Sequence, residues 1–197
     1  MPEPYNKGKL NKMRTVCIIP ARGGSKRLPR KNIFTIWGKP MIYWSIQAAL
    51  KSKYINDVYV TSEDDEILKI SEGLGAKIIQ RPLKLADDFT FKQFAVTHAL
   101  ESINKLYDLV VSLQANSPEV NSQDIDAAID KLLKHDRNEI FTVDNNLMQH
   151  GAFRIWRYKY AFQKALSARS GVYIANYTDV HTIEDVKNLE KKREKRT

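Results

Sequence analysis

The chain has 197 residues, 43% of them hydrophobic and 28% charged, the balance of a globular domain able to bury a sizeable core. Its apolar runs all fall short of the roughly 18 residues that a membrane span needs. The start, "MPEPYNKGKLNKMR", has charge without the apolar stretch of a secretory signal, and the single cysteine, Cys17, excludes an internal disulfide and a multi-cysteine zinc site. The expectation is a cytoplasmic protein without a membrane partner.

The net charge of +9 is concentrated at the ends: residues 1–33 carry +8 and residues 187–197 carry +4, leaving the middle at −3. A nucleic-acid-binding domain more often runs basic charge along its helices. This distribution favours a local anion site with solvated ends and makes nucleic acid an unlikely partner.

In chain order, short β-branched runs read as strands at 15–19 ("TVCII"), 57–62 ("DVYVTS"), 76–80 ("AKIIQ"), 107–113 ("YDLVVSL") and 139–143 ("EIFTV"), several of them apolar on both faces. Cys17, inside the first run, reads as a small buried hydrophobe rather than a nucleophile. Helical spacing separates these strands. "KPMIYWSIQAALKS" opens with Pro40 at a plausible first helical position and places Ile42, Ile46, Ala49 and Leu50 on one face. "SEDDEILKISEGLG" offers Ser62 as N-cap with Asp65 three residues on, and ends at Gly73 or Gly75. "FKQFAVTHALESIN" and "NSQDIDAAIDKLLKH" repeat the pattern, and a last helix begins near Thr182 with Asp185 completing a capping box before fraying into the basic tail. Residues 144–168 are aromatic and basic with no clean period, so no element is assigned there. Strand–helix alternation of this kind predicts an α/β fold with a mostly parallel sheet and helices on both faces. The layout expected is a basic N-terminal extension (1–13), one domain (14–190) and a basic tail (191–197).

The chemistry concentrates in "IIPARGGSKRLPRKN", residues 18–32, at the carboxyl end of the first strand, where ligands bind in parallel α/β sheets. Arg22, Lys26, Arg27, Arg30 and Lys31 lie within ten residues and repel one another unless an anion sits among them. Gly23 and Gly24 are able to take positive φ and bring backbone N–H groups close to a ligand. One cation at ~4 Å from a phosphate charge is worth about 4 kcal/mol at an effective dielectric near 20, before desolvation. A polyphosphate would relieve the repulsion. The spacing is neither Walker A nor G-x-G-x-x-G. On charge alone, a phosphate cradle and a plain exposed basic turn both remain open.

The same stretch resembles the N-terminal signature of the acylneuraminate cytidylyltransferase family, the CMP-sialic acid synthetases and their relatives. The likeness continues through "GKPMIYWSIQAALKS", "VYVTSEDDEI", "GAKIIQRPLKLADD" and "LQANSP", covering residues 14–118, and persists only in "SGVYI" and "DVHTIEDV" beyond. It implies a Rossmann-like three-layer nucleotidyltransferase fold and CMP transfer from CTP to a 2-keto acid sugar, with magnesium as cofactor and a homodimer as the assembly. It implies further that Ala21, Arg22, Gly23 and Lys26 surround the triphosphate, that Lys31 lies at the α-phosphate, and that Asn32 helps hold the nucleotide. Arg81 matches an arginine near the cytosine and Asp88 the acid that follows it. Gln114 matches a sugar contact and Asp179 a metal-binding acid. On this reading Lys31, Arg22 and Asp179 are the catalytic set. Arg81 also reads as half of a surface pair with Asp87 or Asp88, and Gln114 as a strand-end cap.

Several positions depart from the pattern. His181 stands where the family has its second metal-binding acid, and a neutral imidazole is a poorer magnesium ligand than a carboxylate. "QANSPEV" loses an arginine and gains Glu119, Phe91 and Lys92 replace a small polar pair, and "SGVYI" lacks the asparagine that precedes its glycine in the family. Only about 65 residues separate Gln114 from Asp179, shorter than in typical members. Two other functions therefore stay open: a nucleotidyltransferase of the same fold using another nucleotide or sugar phosphate, and a catalytically weak nucleotide- or RNA-binding protein.

Overall fold

A computed structural model describes residues 13–86 and 92–195. The first strand, β1 (Thr15–Pro20), is buried along nearly its whole length, and its alternation builds two cores at once. Val16 and Ile18 point into one apolar cluster, Cys17 and Ile19 into another on the opposite face. Burial pushes the Cys17 thiol up, which keeps it protonated and inert, as the reading of it as a small hydrophobe expects.

Around β1 the sheet assembles from β4 (Ile55–Ser62), β5 (Lys77–Gln80), β6 (Leu109–Leu113), β7 (Glu139–Val143), β8 (Gln149–Arg157) and β9 (Ser170–Ile174) in the order β5-β4-β1-β6-β8-β7-β9. β1 pairs in parallel with β4 and β6, and β4 with β5. β8 alone runs antiparallel, between β6 and β7, while β9 pairs in parallel with β7 at the edge. A two-residue ribbon, β2 (Thr35–Ile36) with β3 (Lys39–Pro40), lies outside the sheet. The fold is α/β and Rossmann-like with a mostly parallel sheet, as expected.

Helices α1 (Met41–Leu50), α2 (Asp65–Gly73) and α4 (Ser122–Lys134) send Ile42, Ile46, Ile67, Ile125 and Ile129 into the core on the Cys17 face. Helix α3 (Lys92–Ser102) covers the opposite face with Val96, Ala99 and Leu100. The chain thus winds outward from β1 to β4 and β5, then crosses by α3 to β6 on the other side of β1. That reversal creates a crevice between the carboxyl ends of β1 and β6, the place where open α/β sheets bind ligands. A third apolar cluster joins Leu28, Ile36 and Met41 to Val186 and Leu189 of α5 (Ile183–Glu194). None of the described helices is long and apolar enough to cross a membrane.

Three local expectations are corrected. The N-cap of α2 is Asp64, whose Oδ1 accepts from the N–H groups of Glu66 (3.1 Å) and Ile67 (3.0 Å). Ser62 ends β4, fully buried, and accepts instead from the Asp64 N–H at 3.1 Å. Residues 144–168, left unassigned, hold β8 and a 3-10 segment, Tyr158–Phe162. The tail boundary at 190 falls inside α5, which runs to Glu194, with Lys192 on Glu119 and the Arg193 guanidinium 5.1 Å and 5.4 Å from the rings of Trp37 and Trp44. The expected N-terminal extension, apart from its last residue Met13, lies outside the described residues. At the start of α5, Thr182 and Asp185 form the expected capping box.

Candidate active site

The loop after β1 is held from beneath by apolar packing and from the side by two acids. Leu28, in the middle of its cations, is buried in the third cluster and pins the loop between the ribbon and α5. The Ala21 N–H donates to Thr61 O at 3.0 Å, and the Asn32 side chain, 5% exposed, donates to Arg22 O at 2.8 Å and closes the loop on itself. The Gly23 N–H donates to Glu63 Oε1 at 2.7 Å, and Glu63 Oε2 accepts Nε and Nη2 of Arg81 at 3.1 Å and 2.7 Å. Arg30, in the left-handed region with φ 54°, pairs with Asp64 and Glu66. That pairing holds the Asp64 carboxyl below its usual range.

These contacts sort the five cations. Arg30 is spent on α2. Arg22, Arg27 and Lys31 line two adjoining lobes of a cleft, of about 270 Å³ and 210 Å³, and Lys26 borders the smaller. Arg81 and Lys92 complete the larger lobe, and no carboxylate is among the described residues lining it. The Lys31 ammonium is pushed down to about 8 by burial and then by the positive charges of Lys92, Arg27 and Arg22. A cleft that makes its own lysine easier to deprotonate is short of negative charge, and a polyanion supplies it.

The far wall comes from the chain after β6. Asn116 and Val180 are tied in both directions, Val180 N–H to Asn116 O at 2.8 Å and Asn116 Nδ2 to Val180 O at 2.9 Å. This brings Asp179 and His181 to the carboxyl end of β6. Asp179 accepts from Ser117 Oγ through Oδ1 and from the Gly151 N–H at 3.2 Å through Oδ2. His181 Nδ1 lies 3.2 Å from Arg27 Nη2; a guanidinium only donates, so Nδ1 accepts and the proton of the neutral ring is on Nε2. Burial first, then Lys31 and Arg27, lower the His181 pKa and keep the ring neutral. Gln114 accepts from Lys92 Nζ at 2.6 Å through Oε1 and packs over Gly151, where a Cβ would lie 1.5 Å from Nε2.

Of the residues named from sequence, Arg22, Lys31, Asn32, Arg81 and Gln114 line the larger lobe and Lys26 the smaller, while Asp179 lines neither but is close enough for its charge to act on Lys31 and Lys92. Asp88 lies outside the described residues, as do Asp87 and Phe91. Ala21 sits below the loop with its methyl in the core. Gly23 is corrected in role: its N–H is already taken by Glu63, and neither it nor Gly24 has positive φ. Gly23 is needed because a Cβ there would lie 2.3 Å from Asp64 Oδ2. Among the described residues, the partner of Arg81 is Glu63. Glu119 faces away from the lobes and serves the fold, accepting from Lys192 Nζ and, at 2.9 Å, from the Thr178 N–H. Sequence reasoning passed over Glu63, Asp64, Ser117 and Gly151. Of these, the acids of "SEDDEI" carried the only signal, because they follow a buried strand at the same sheet edge as the cationic loop.

Magnesium, implied by the resemblance, requires hard oxygen ligands. Asp179 already accepts two hydrogen bonds, and its neighbour in the pattern is a histidine occupied by Arg27. The described residues contain no group of three or more His, Cys, Asp or Glu able to hold a metal. This donor set does not fit a two-carboxylate magnesium centre.

Comparison with known proteins bears on the same region. A family model described as Cytidylyltransferase matches residues 16–195. The chain is 40% identical over 133 residues to a pseudaminic acid cytidylyltransferase of Campylobacter jejuni, a match covering 66% of this chain and 57% of that protein. It is 39% identical over 119 residues to an N-acylneuraminate cytidylyltransferase of Escherichia coli, covering 59% and 28%. The chain therefore matches little more than half the length of the first of these relatives and little more than a quarter of the second. Among solved structures, a CMP:2-keto-3-deoxy-manno-octonic acid synthetase complexed with CTP has a TM-score of 0.76 at 16% identity, covering 93% of this chain and 100% of the other. A cytidylyltransferase of Leptospira borgpetersenii has a TM-score of 0.70 at 19% identity, covering 90% and 85%. At such identities the two structures establish the fold.

Proposed function

Because the chain belongs to the cytidylyltransferase family, we propose that it transfers CMP from CTP to an acidic sugar of the 2-keto acid type, releasing pyrophosphate. The observation that carries this reading is the cleft between β1 and β6, where Arg22, Arg27, Lys31 and Lys92 converge and the Lys31 ammonium is destabilised by burial and then by its cationic neighbours. A triphosphate entering from the loop side meets Arg22, Lys26 and Arg27 first and brings its α-phosphate towards Lys31. The anomeric hydroxyl of the sugar, placed near Gln114, attacks the α-phosphorus and gives its proton to water; the new P–O bond forms as the bond to the β-phosphate oxygen breaks and pyrophosphate leaves. Such a transfer asks little covalent chemistry of the protein, so positioning and charge neutralisation carry it. Lys31 neutralises the charge that builds on the transferring phosphoryl group.

The relatives' names span pseudaminic, N-acylneuraminic and 3-deoxy-manno-octulosonic acids, which share a carboxylate beside the anomeric carbon. Lys92, beside Gln114, is placed to meet that carboxylate or the α-phosphate. The CMP-sugar would serve as activated donor in surface glycan assembly, in the cytoplasm where CTP is made. The test is mass-spectrometric detection of CMP-sugar after incubation with CTP and each of the three acids, with UTP, GTP and ATP in parallel. Product with CTP and at least one acid supports the reading; product only with another nucleotide, or none from any pairing, overturns it.

A further inference from the structure

The donor set around Asp179 and the cations facing it point to an unusual distribution of charge. The position that would complete a pair of carboxylates is His181, and its Nδ1 is committed to Arg27. Opposite, the first residue of α3 is a lysine whose exposed side chain folds back across the cleft to reach Gln114 Oε1 at 2.6 Å. That contact fixes an ammonium group beside Gln114 in the lobe that Arg22 and Lys31 also line, within reach of the Asp179 charge. Of the positive charges that depress Lys31, Lys92 is the strongest, so the two ammonium groups act on a common space. A fixed monovalent cation there does for a phosphate oxygen what an ion held by two carboxylates would do: it offsets charge, without needing further ligands of its own.

We propose that Lys92 is a nucleotide-binding residue at the reacting phosphate, whose ammonium group takes over counter-charge that a carboxylate-held divalent ion would otherwise supply, so that CTP binding by this chain is largely independent of divalent cations. The proposal rests on the reading of the cleft as a CTP site. Gln114 becomes a positioning residue in it, holding Lys92 across the cleft in the free protein.

The experiment is calorimetric titration of CTP into the full chain, once in EDTA and once in millimolar Mg²⁺, for wild type, Lys92→Met and Lys92→Arg. The wild type is expected to bind CTP in EDTA within about fivefold of its affinity in Mg²⁺, and Lys92→Met to lose about tenfold or more in EDTA, a loss that Mg²⁺ narrows. Lys92→Arg, which keeps the charge, is expected to stay close to wild type in EDTA. Two results overturn the proposal alone: wild-type binding that appears only with Mg²⁺, or Lys92→Met binding CTP in EDTA as tightly as wild type. Absence of CTP binding by wild type in both buffers overturns the CTP reading itself. Thermal unfolding of each variant without nucleotide is expected to show no loss of stability, since Lys92 is exposed and its charge opposes that of Lys31.

Discussion

Glu63 joins Arg81 to the phosphate-side loop: one carboxylate oxygen takes Nε and Nη2 of Arg81, and the other takes the N–H of Gly23 at 2.7 Å. Arg81 is 4% exposed, so this is a buried charge pair with a backbone donor as its third member. Breaking such a pair leaves an uncompensated buried charge and costs about 3–5 kcal/mol. Arg81→Met and Glu63→Gln are each expected to destabilise by an amount in that range in urea unfolding. The double variant is expected to lose less than the sum of the two, because neither charge is then left alone. Additive losses would show that the pair is not coupled.

Gly23 and Gly24 are adjacent but do different work. A Cβ on Gly23 would lie 2.3 Å from Asp64 Oδ2, and Asp64 has nowhere to go because it caps α2 and pairs with Arg30. Nothing lies within 4 Å of a Cβ on Gly24. Gly23→Ala is expected to cost about 1–3 kcal/mol by overpacking and to weaken CTP binding by displacing the loop. Gly24→Ala, at ordinary φ, is expected to fall within about 0.5 kcal/mol of wild type. Thermal unfolding of the two variants side by side decides this.

Lys31 gives the site a pH signature. Its folded pKa of about 8 is below the ordinary 10.5, so between those values the unfolded chain binds more protons than the folded one. Stability of the nucleotide-free protein is therefore expected to rise with pH through this window, and Lys31→Met is expected to reduce that rise, leaving the contribution of Lys92, whose pKa burial also lowers. Nucleotide reverses the preference, because phosphate charge favours the ammonium form. CTP affinity is expected to be level below pH 8 and to fall above it, with uptake of a proton on binding. Calorimetry in two buffers of different ionisation enthalpy at pH 8.5 measures that proton directly.

Gln114 is seated on Gly151, where a Cβ would lie 1.5 Å from its Nε2. Gly151→Ala is expected to eject the Gln114 side chain and loosen Lys92 with it, raising KM for the sugar acid several-fold. The Lys31–Arg22 side of the cleft is untouched, so CTP affinity in millimolar Mg²⁺ is expected to change little. An equal rise in KM for both substrates would contradict the division of the cleft into two halves.

The parts legible in the sequence were those with local causes. "EIFTV" is β7 over 139–143, residue for residue, because every side chain but one is buried and the run is β-branched and aromatic. The cationic loop was visible because like charges crowd only for a reason. β8 was not legible: Gly151 interrupts it and its burial follows the two strands it is wedged between, β6 and β7, which no local period encodes. The braces were hidden for a similar reason. Glu63 and Asp64 look like the solvated start of a helix, and only the parallel pairing of β1 with β4 lays them beside Gly23 and Arg30. Leu28 looked like an interruption in a basic turn and is instead the loop's anchor, meeting α5 from more than 150 residues away in sequence.

The central claim is that the Lys31 side of the cleft holds a CTP triphosphate for attack by an acidic sugar. Initial rates of pyrophosphate release, measured with saturating CTP and pseudaminic, N-acetylneuraminic or 3-deoxy-manno-octulosonic acid for wild type and Lys31→Met, test it most directly. The account predicts turnover with at least one acid and a loss of about 10²-fold or more in Lys31→Met, with thermal stability below pH 8 undiminished. No release with any acid, or equal rates in the two proteins, would contradict it.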